Sequence, residues 1–87
     1  MAKLIVNDLA KVDKERNSIH HAAAASYSVF DSDTTRYFQI DTYGRPDRKF
    51  QGKCSQTLQI DRDNAIRLIR LIMKELDITL DDLITFQ

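Results

Sequence analysis

Two alternating segments with a turn-rich loop between them constrain the fold of this chain more than any other feature. Residues 35–43 and 53–60 each alternate apolar with polar side chains. The only proline and both glycines of the chain lie between them, in residues 44–53. A period of two on either side of such a loop predicts two antiparallel strands of a sheet with one buried side. The positions expected on that buried side are Phe38, Ile40, Cys54, Leu58 and Ile60.

The residues before these strands give weaker signals. Ser26–Phe30 has the composition of a further strand, and residues 31–34 form a turn-like cluster after it. The alanine-rich residues 20–25 favour a helix by intrinsic propensity. Lys3–Val6 is predicted as a short strand, whereas residues 7–16 fit either a short capped helix or a polar hairpin arm.

A helix is predicted directly after the second alternating segment. Asp61 or Asp63 is the expected N-cap, since a carboxylate there accepts hydrogen bonds from free backbone amides. The apolar residues at helical spacing are Ile66, Ile69, Ile72, Met73 and Leu76, and Leu68 and Leu71 widen this stripe. The apolar residues beyond those needed for packing on the sheet predict contact of the helix with a second chain or with the tail. In the tail, Thr79 and Asp82 have capping-box spacing and predict a last short helix.

Together these elements predict an α+β fold. We expect an antiparallel sheet of three to four strands, with the C-terminal amphipathic helix packed on one face and a short extra helix at the C-terminus. The expected organisation is a single domain over residues 1–87. Its parts are an N-terminal arm (1–22), a sheet (24–60), a helix (62–76) and a tail (78–87).

The size of the chain predicts a partner subunit. A domain of 87 residues buries a modest fraction of its surface, and small domains commonly compensate with disulfides, metals or oligomerisation. The single cysteine excludes an internal disulfide, and the Cys and His spacing matches no metal site. We therefore expect a homodimer without a cofactor or metal. No secretory signal or membrane span is evident, so a cytoplasmic location is expected.

No group of residues in the sequence predicts catalysis. His20 and His21 are adjacent, so in a strand they would point to opposite faces. Cys54 has no histidine nearby in sequence and is interpreted as a small core residue. The glycines match no phosphate-binding motif. The sequence therefore favours a binding module over an enzyme.

A basic loop beside a polar sheet face predicts an anionic ligand. The loop carries Arg45, Arg48, Lys49 and Lys53 against Asp47, a charge of +3, in a chain with 13 basic and 13 acidic residues. The expected binding face consists of Tyr37, Gln39, Tyr43, Ser55, Thr57 and Gln59. Aromatic rings stack on exposed bases, whereas amides and hydroxyls bond phosphates or base edges. This combination favours single-stranded DNA or RNA, although the same residues also suit an ordinary solvated sheet face.

The segments YFQID, GRPDRKFQGK, CSQTLQID and NAIRLIRLIMKEL give the stretch from Tyr37 to Leu76 a family resemblance. It resembles the positive-cofactor-four family of transcriptional coactivators and their small bacterial relatives. The resemblance implies a four-stranded sheet followed by a helix, dimerisation through the helices, and single-stranded nucleic-acid binding in transcription or DNA maintenance. It points to the loop residues Arg45, Arg48, Lys49 and Lys53. The N-terminal arm and the tail ITLDDLITF lie outside it.

A bacterial or phage protein-interaction or inhibitor module is the alternative function. Such a module would use the same open face or an exposed strand edge to bind another protein. The two functions differ in their salt dependence, because only phosphate binding releases condensed counterions.

Overall fold

The computed structural model describes residues 1–44 and 54–86. The elements are, in chain order, β1 (Ala2–Lys3), a 3-10 helix (Val6–Asp8), β2 (Ala25–Ser32), β3 (Thr35–Tyr43), β4 (Cys54–Asp61), α1 (Arg62–Glu75) and α2 (Leu80–Thr85). The four strands form one sheet in the order β1-β4-β3-β2. The predicted α+β class is confirmed, with a mostly antiparallel sheet followed by a C-terminal helix and a short second helix.

β2 and β3 form a hairpin that is longer than predicted. Ser32 pairs with Thr35, so Asp33 and Thr34 alone make the turn. Asp33 has a φ of 56°, in the left-handed region that short polar residues tolerate better than most. Pairing continues up to the turn, and β2 therefore extends through Asp31 and Ser32 rather than ending at Phe30.

β3 and β4 pair antiparallel as predicted, with Phe38 opposite Ile60 and Ile40 opposite Leu58. The register shifts between Thr42 and Tyr43, so that Tyr43 pairs with Cys54. Such an irregularity inserts an extra residue into one strand and re-aims the side chains beside it.

The N-terminal residues are held by β4 and by the start of α1. β1 pairs parallel with β4, Lys3 lying opposite Gln59. The backbone N–H of Val6 then donates to Oδ1 of Asn64, at 2.8 Å. Asn64 is buried, with 7% of its surface exposed, and its Nδ2 donates to Asp61 Oδ1 at 2.9 Å. One buried amide therefore joins the N-terminal segment to the first turn of the helix.

α1 starts at the predicted cap. Asp61 is the N-cap, and its Oδ1 accepts from the backbone N–H of Asn64 at 2.9 Å. Hydrogen bonds from the backbone and side chain of Asn64 lower the pKa of Asp61 below its ordinary value. The cap therefore stays ionised at the positive end of the helix.

Few apolar side chains are buried in the described residues. Val6 and Ile60 are the buried hydrophobic residues, each 8% exposed. Phe38 and Ile40 lie on the side predicted to be buried, yet they are 40% and 38% exposed. α1 leaves the end of β4 and approaches β3 and β4 only near its start, so most of this sheet side remains uncovered.

α2 confirms the predicted short helix and its cap. The Thr79 side chain accepts from the backbone N–H of Asp82, and the Asp82 carboxylate accepts from the N–H of Thr79. Between the helices, Asp77 has a φ of 54°, and the N–H of Ile78 donates to Met73 O at 2.9 Å. This arrangement is the αL helix end that redirects a chain after a helix.

Residues 9–24 are exposed and contain no helix or strand. The helix predicted for residues 20–25 is therefore wrong, and Ala25 instead begins β2. Alanine propensity cannot offset helix nucleation in six residues that have no apolar stripe to pack. Of the helices in the described ranges, none is long and apolar enough to cross a membrane.

Candidate nucleic-acid interface

The candidate site is one side of the sheet, here called the polar face. Strand pairing places Gln39 opposite both Ser28 and Gln59, and Asp41 opposite both Ser26 and Thr57. Lys3 joins this side at the edge, because it pairs with Gln59. The polar face consists of Lys3, Ser26, Ser28, Phe30, Tyr37, Gln39, Asp41, Tyr43, Thr57 and Gln59. Five of the six predicted face residues therefore lie together, Ser55 being the exception.

Asp41 is the centre of a hydrogen-bond network on the polar face. Its Oδ1 accepts from Thr57 Oγ1 at 2.7 Å, and both its oxygens accept from Gln39 Nε2 at 3.1 Å. Gln59 Nε2 extends the network by donating to Gln39 Oε1 at 2.8 Å. The hydrogen bonds from Thr57 and then Gln39 lower the pKa of Asp41 below its ordinary value. The middle of the face therefore carries a fixed negative charge at neutral pH.

Sequence reasoning missed the role of Asp41. Its position in the alternation placed it on this side of β3, but the pairing with Thr57 depends on the register between β3 and β4. A signal was present in the sequence, since a carboxylate flanked at two-residue spacing by Gln39 and Tyr43 already lay on the predicted face.

Both tyrosines of the predicted face have partners within the sheet. The Tyr37 ring is stacked with Phe30, with centroids 5.4 Å apart, and the Lys3 ammonium lies 5.6 Å from the Tyr37 centroid. These neighbours come from strands on opposite sides of β3. The Tyr43 hydroxyl is 2.7 Å from Ser26 Oγ. A base could thus stack on Tyr37 only after Lys3 moves away, which an exposed lysine does at little cost.

The irregular pairing near Tyr43 changes the placement of two predicted residues. Cys54 is exposed, with Sγ 3.3 Å from Thr57 Oγ1 and 3.6 Å from Asp41 Oδ1, so its interpretation as a core residue is wrong. Ser55 Oγ instead donates to the backbone oxygen of Thr42 at 3.1 Å. An extra residue in a strand reverses the alternation beyond it, which explains both outcomes.

The predicted loop cations Arg45, Arg48, Lys49 and Lys53 lie outside the described residues. The ends of the loop are nevertheless fixed, because Tyr43 and Cys54 pair at the last position of β3 and β4. The loop therefore leaves and re-enters the sheet at one end of the polar face. Lys3 and Tyr37 lie near the other end, six residues along β3.

The opposite side of the sheet, here called the apolar face, consists of Tyr27, Val29, Phe38, Ile40, Leu58 and Ile60. The edge residues Tyr27 and Val29 are 71% and 54% exposed. The Tyr27 and Phe38 rings stack with centroids 5.2 Å apart. A cleft of about 260 Å³ opens between this face and the start of α1, with Phe38, Ile60 and Ala65 in its lining.

The remaining candidates for chemistry are dispersed. His20 and His21 lie in the exposed arm, outside the strands of the sheet. Over residues 1–44 and 54–86, no three potential metal ligands come together. Arg67, Arg70 and Lys74 lie exposed along α1, which agrees with a solvated helix face.

Comparison of the chain with protein-family models, with curated proteins and with solved structures found no match.

Proposed function

We propose that this chain is a non-enzymatic module that binds single-stranded nucleic acid along the polar face. The observation that carries this proposal is an open sheet side on which amide and hydroxyl groups extend from Lys3, at the Tyr37 end, to Tyr43 near the end of β3. In the sequence, the basic loop follows Tyr43 directly. The resemblance of residues 37–76 to the positive-cofactor-four family supports the same function.

The dimensions of the face suit a short single strand. Tyr43 lies six positions after Tyr37 in β3, which is about 20 Å of strand. Phosphates would bind the cations at the two ends, because the Asp41 carboxylate repels them from the middle. Bases would therefore face the sheet, where Asp41 accepts hydrogen bonds from exocyclic amino groups and Gln59 contacts base edges.

A titration with labelled oligonucleotides tests this proposal. Single-stranded DNA, single-stranded RNA and a duplex are each titrated at two salt concentrations, with fluorescence anisotropy as the measurement. The expected log–log slope is about −0.7 for each phosphate bound on a single strand. Lys3→Ala should reduce the slope by about 0.7, and joint replacement of Arg45, Arg48 and Lys49 by Ala should reduce it by about 2.

Lys14→Ala is the matched control, because this change removes one positive charge from the exposed arm, outside the strands that form the polar face. It should leave the slope unchanged. Absence of affinity for all three nucleic acids would refute the proposal, as would an equal effect of Lys3→Ala and Lys14→Ala.

A protein-interaction or inhibitor module is the second candidate function. The specific observation in its favour is the edge strand β2, whose outer backbone groups and apolar residues Tyr27 and Val29 are accessible. Exposed edges of this kind bind extended peptides by strand addition. Salt-insensitive binding to another protein, lost in Val29→Pro and retained in Lys3→Ala, would favour this candidate.

We further propose that two copies associate through the side of the molecule that carries the apolar face and α1. The Cα radius of gyration is 15.6 Å, compared with about 12 Å for a compact domain of this length. Two buried hydrophobic residues, counted over residues 1–44 and 54–86, are a small core, and contiguous exposed apolar surface is typical of an interface. Sedimentation equilibrium should give the dimer mass at micromolar concentration. If only the monomer mass is found at protein concentrations up to about 100 µM, self-association is refuted, because a dissociation constant above that value is too weak for a stable dimer.

A further inference from the structure

The C-terminal segment, residues 77–86, has an unusual amount of uncovered apolar surface. Leu80 is 71% exposed, Ile84 is 80% exposed and Phe86 is 85% exposed. Among the described elements, α2 approaches neither a strand nor α1. An isolated helix of six residues is marginal in water, so its stability requires a surface to pack against.

The turn after α1 directs α2 so that it does not lie along its own α1. The left-handed Asp77 and the hydrogen bond from Ile78 N–H to Met73 O end α1 and redirect the chain. The capping box of Thr79 and Asp82 then fixes the start of α2. Leu83 and Phe86 share an open cleft of about 560 Å³ with Leu76 at the end of α1, so the apolar side of the segment meets its own chain only there.

The exposed stripe of α1 is the complementary surface. Ile66, Ile69, Ile72 and Leu76 recur at helical spacing and are 40%, 54%, 41% and 68% exposed. Ala65, one turn before Ile69, lines the cleft against the apolar face, so the stripe continues from that cleft. The other edge of α1 is occupied by the N-terminal segment, through Asn64 and through an ion pair of Lys11 with Glu75 at 3.2 Å.

Charge supports pairing of these two surfaces. Arg70 lies four residues after Ile66 and therefore at the edge of the stripe, whereas Arg67 and Lys74 lie farther round the helix, and the segment carries Asp77, Asp81 and Asp82 with no basic residue. In the described part of the chain, neither Arg70 nor any of these three aspartates forms an ion pair. The edge of the apolar stripe thus offers a cation to an apolar segment that carries three negative charges.

We propose that residues 77–86 of each copy dock on the α1 stripe of the other copy. This reciprocal exchange rests on the self-association proposed above and names the contact that produces it. A two-fold pair makes the same contact twice, so each copy contributes one stripe and one segment. The exposed apolar side chains involved are Ile66, Ile69, Ile72 and Leu76 on the stripe and Leu80, Leu83, Ile84 and Phe86 on the segment, each at least 40% exposed.

Disulfide trapping between two different chains tests the exchange. In a Cys54→Ser background, one chain carries Ile69→Cys and the other, labelled with ¹⁵N, carries Leu83→Cys. After mixing and mild oxidation, non-reducing mass spectrometry should find the link between the two variants at least about tenfold above either self-link, since trapping follows proximity. The matched control replaces Ile69→Cys by Ser28→Cys, an exposed position on the polar face, and should give no enrichment.

The outcomes separate this inference from the proposal on which it rests. A dominant link between two Ile69→Cys chains would mean that the stripes meet each other, which overturns the exchange and leaves self-association intact. A dimer by sedimentation without enrichment of the mixed link overturns the exchange in the same way. A monomer by sedimentation overturns both.

Charge reversal gives an independent test that does not alter the apolar anchors. Arg70→Glu and Asp81→Lys should each raise the dimer dissociation constant by about fivefold, and the double variant should recover most of the loss. Arg16→Glu, in the exposed arm, is the control for the same change in charge and should have no effect. Additive losses in the double variant would show that Arg70 and Asp81 do not meet.

Discussion

Replacement of Asn64 by Ala tests how the N-terminal segment is held and how Lys3 reaches the polar face. Asn64 Oδ1 is the acceptor for the buried backbone N–H of Val6, which is itself 8% exposed. An unsatisfied buried donor costs about 1–3 kcal/mol, and loss of the bond from Asn64 Nδ2 to Asp61 adds about 1 kcal/mol. The higher helix propensity of alanine offsets up to about 0.7 kcal/mol of this loss in unfolding free energy. The expected net loss of unfolding free energy is therefore about 1.5–3 kcal/mol.

Urea unfolding followed by circular dichroism, at one fixed protein concentration, measures this loss. Amide hydrogen exchange gives a local readout, because the Val6 N–H should lose its protection if the segment detaches. Asn64→Asp is the matched control. It keeps an acceptor for Val6 and replaces the donor to Asp61 by a second carboxylate, so it should lose stability while retaining more protection at Val6 than the alanine variant.

A change below about 0.5 kcal/mol in Asn64→Ala, with unchanged exchange at Val6, would refute the reasoning, because ordinary surface substitutions lie within that range. The prediction also extends to the proposed function. If the segment detaches, Lys3 leaves its position over Tyr37, and the salt slope of oligonucleotide binding should fall as in Lys3→Ala.

Three further predictions concern stability. Ile60→Ala should lower the unfolding free energy by about 2–4 kcal/mol in urea titrations, because it leaves a cavity in a small core. Val12→Ala, at a position 65% exposed, should change it by less than about 0.5 kcal/mol, and equal effects would contradict the assigned core. Asp77→Gly should raise the melting temperature, since the left-handed conformation costs a non-glycine residue about 1 kcal/mol; a lower value would argue against that conformation. The depressed pKa of Asp61 contributes stability that is present above its unfolded value near 3.8 and is lost as the pH falls through the lower folded value. Asp61→Asn keeps a good helix cap without the titration, so its urea midpoint should depend less on pH below 4; an unchanged acid limb would be evidence against the assignment.

The elements that could be predicted from the sequence are those whose signal is local. The alternation of β3 and β4 follows from burial of one sheet side, and Asp61, Thr79 and Asp82 are caps that act within one turn of their helix. None of these signals depends on a distant part of the chain, which explains why the boundaries of β3 and α1 agree closely with expectation.

The parts that were wrong or missed depend on non-local contacts. The parallel pairing of β1 with β4 joins residues that are far apart in sequence, and Asn64 is identifiable as a bridge only when Val6 is beside it. The face assigned to Cys54 was wrong because a single register shift at Thr42 and Tyr43 reverses the alternation. The alanine-rich residues 20–25 have helix propensity but no surface to pack on, and of them only Ala25 belongs to a regular element, as the first residue of β2.

The two sides of the sheet differ in what a partner can gain from them. On the polar face, Gln39, Asp41 and Thr57 already satisfy one another, so a base that bonds to them replaces existing hydrogen bonds and adds little net free energy. In the proposed function, affinity for nucleic acid must then come mainly from phosphates bound by Lys3 and by the basic residues of the loop sequence, which predicts strong salt dependence and weak base preference. The apolar face has no such hydrogen bonds to lose, and covering its exposed apolar surface is favourable in free energy. Self-association should therefore depend little on salt, whereas oligonucleotide binding should depend on it strongly.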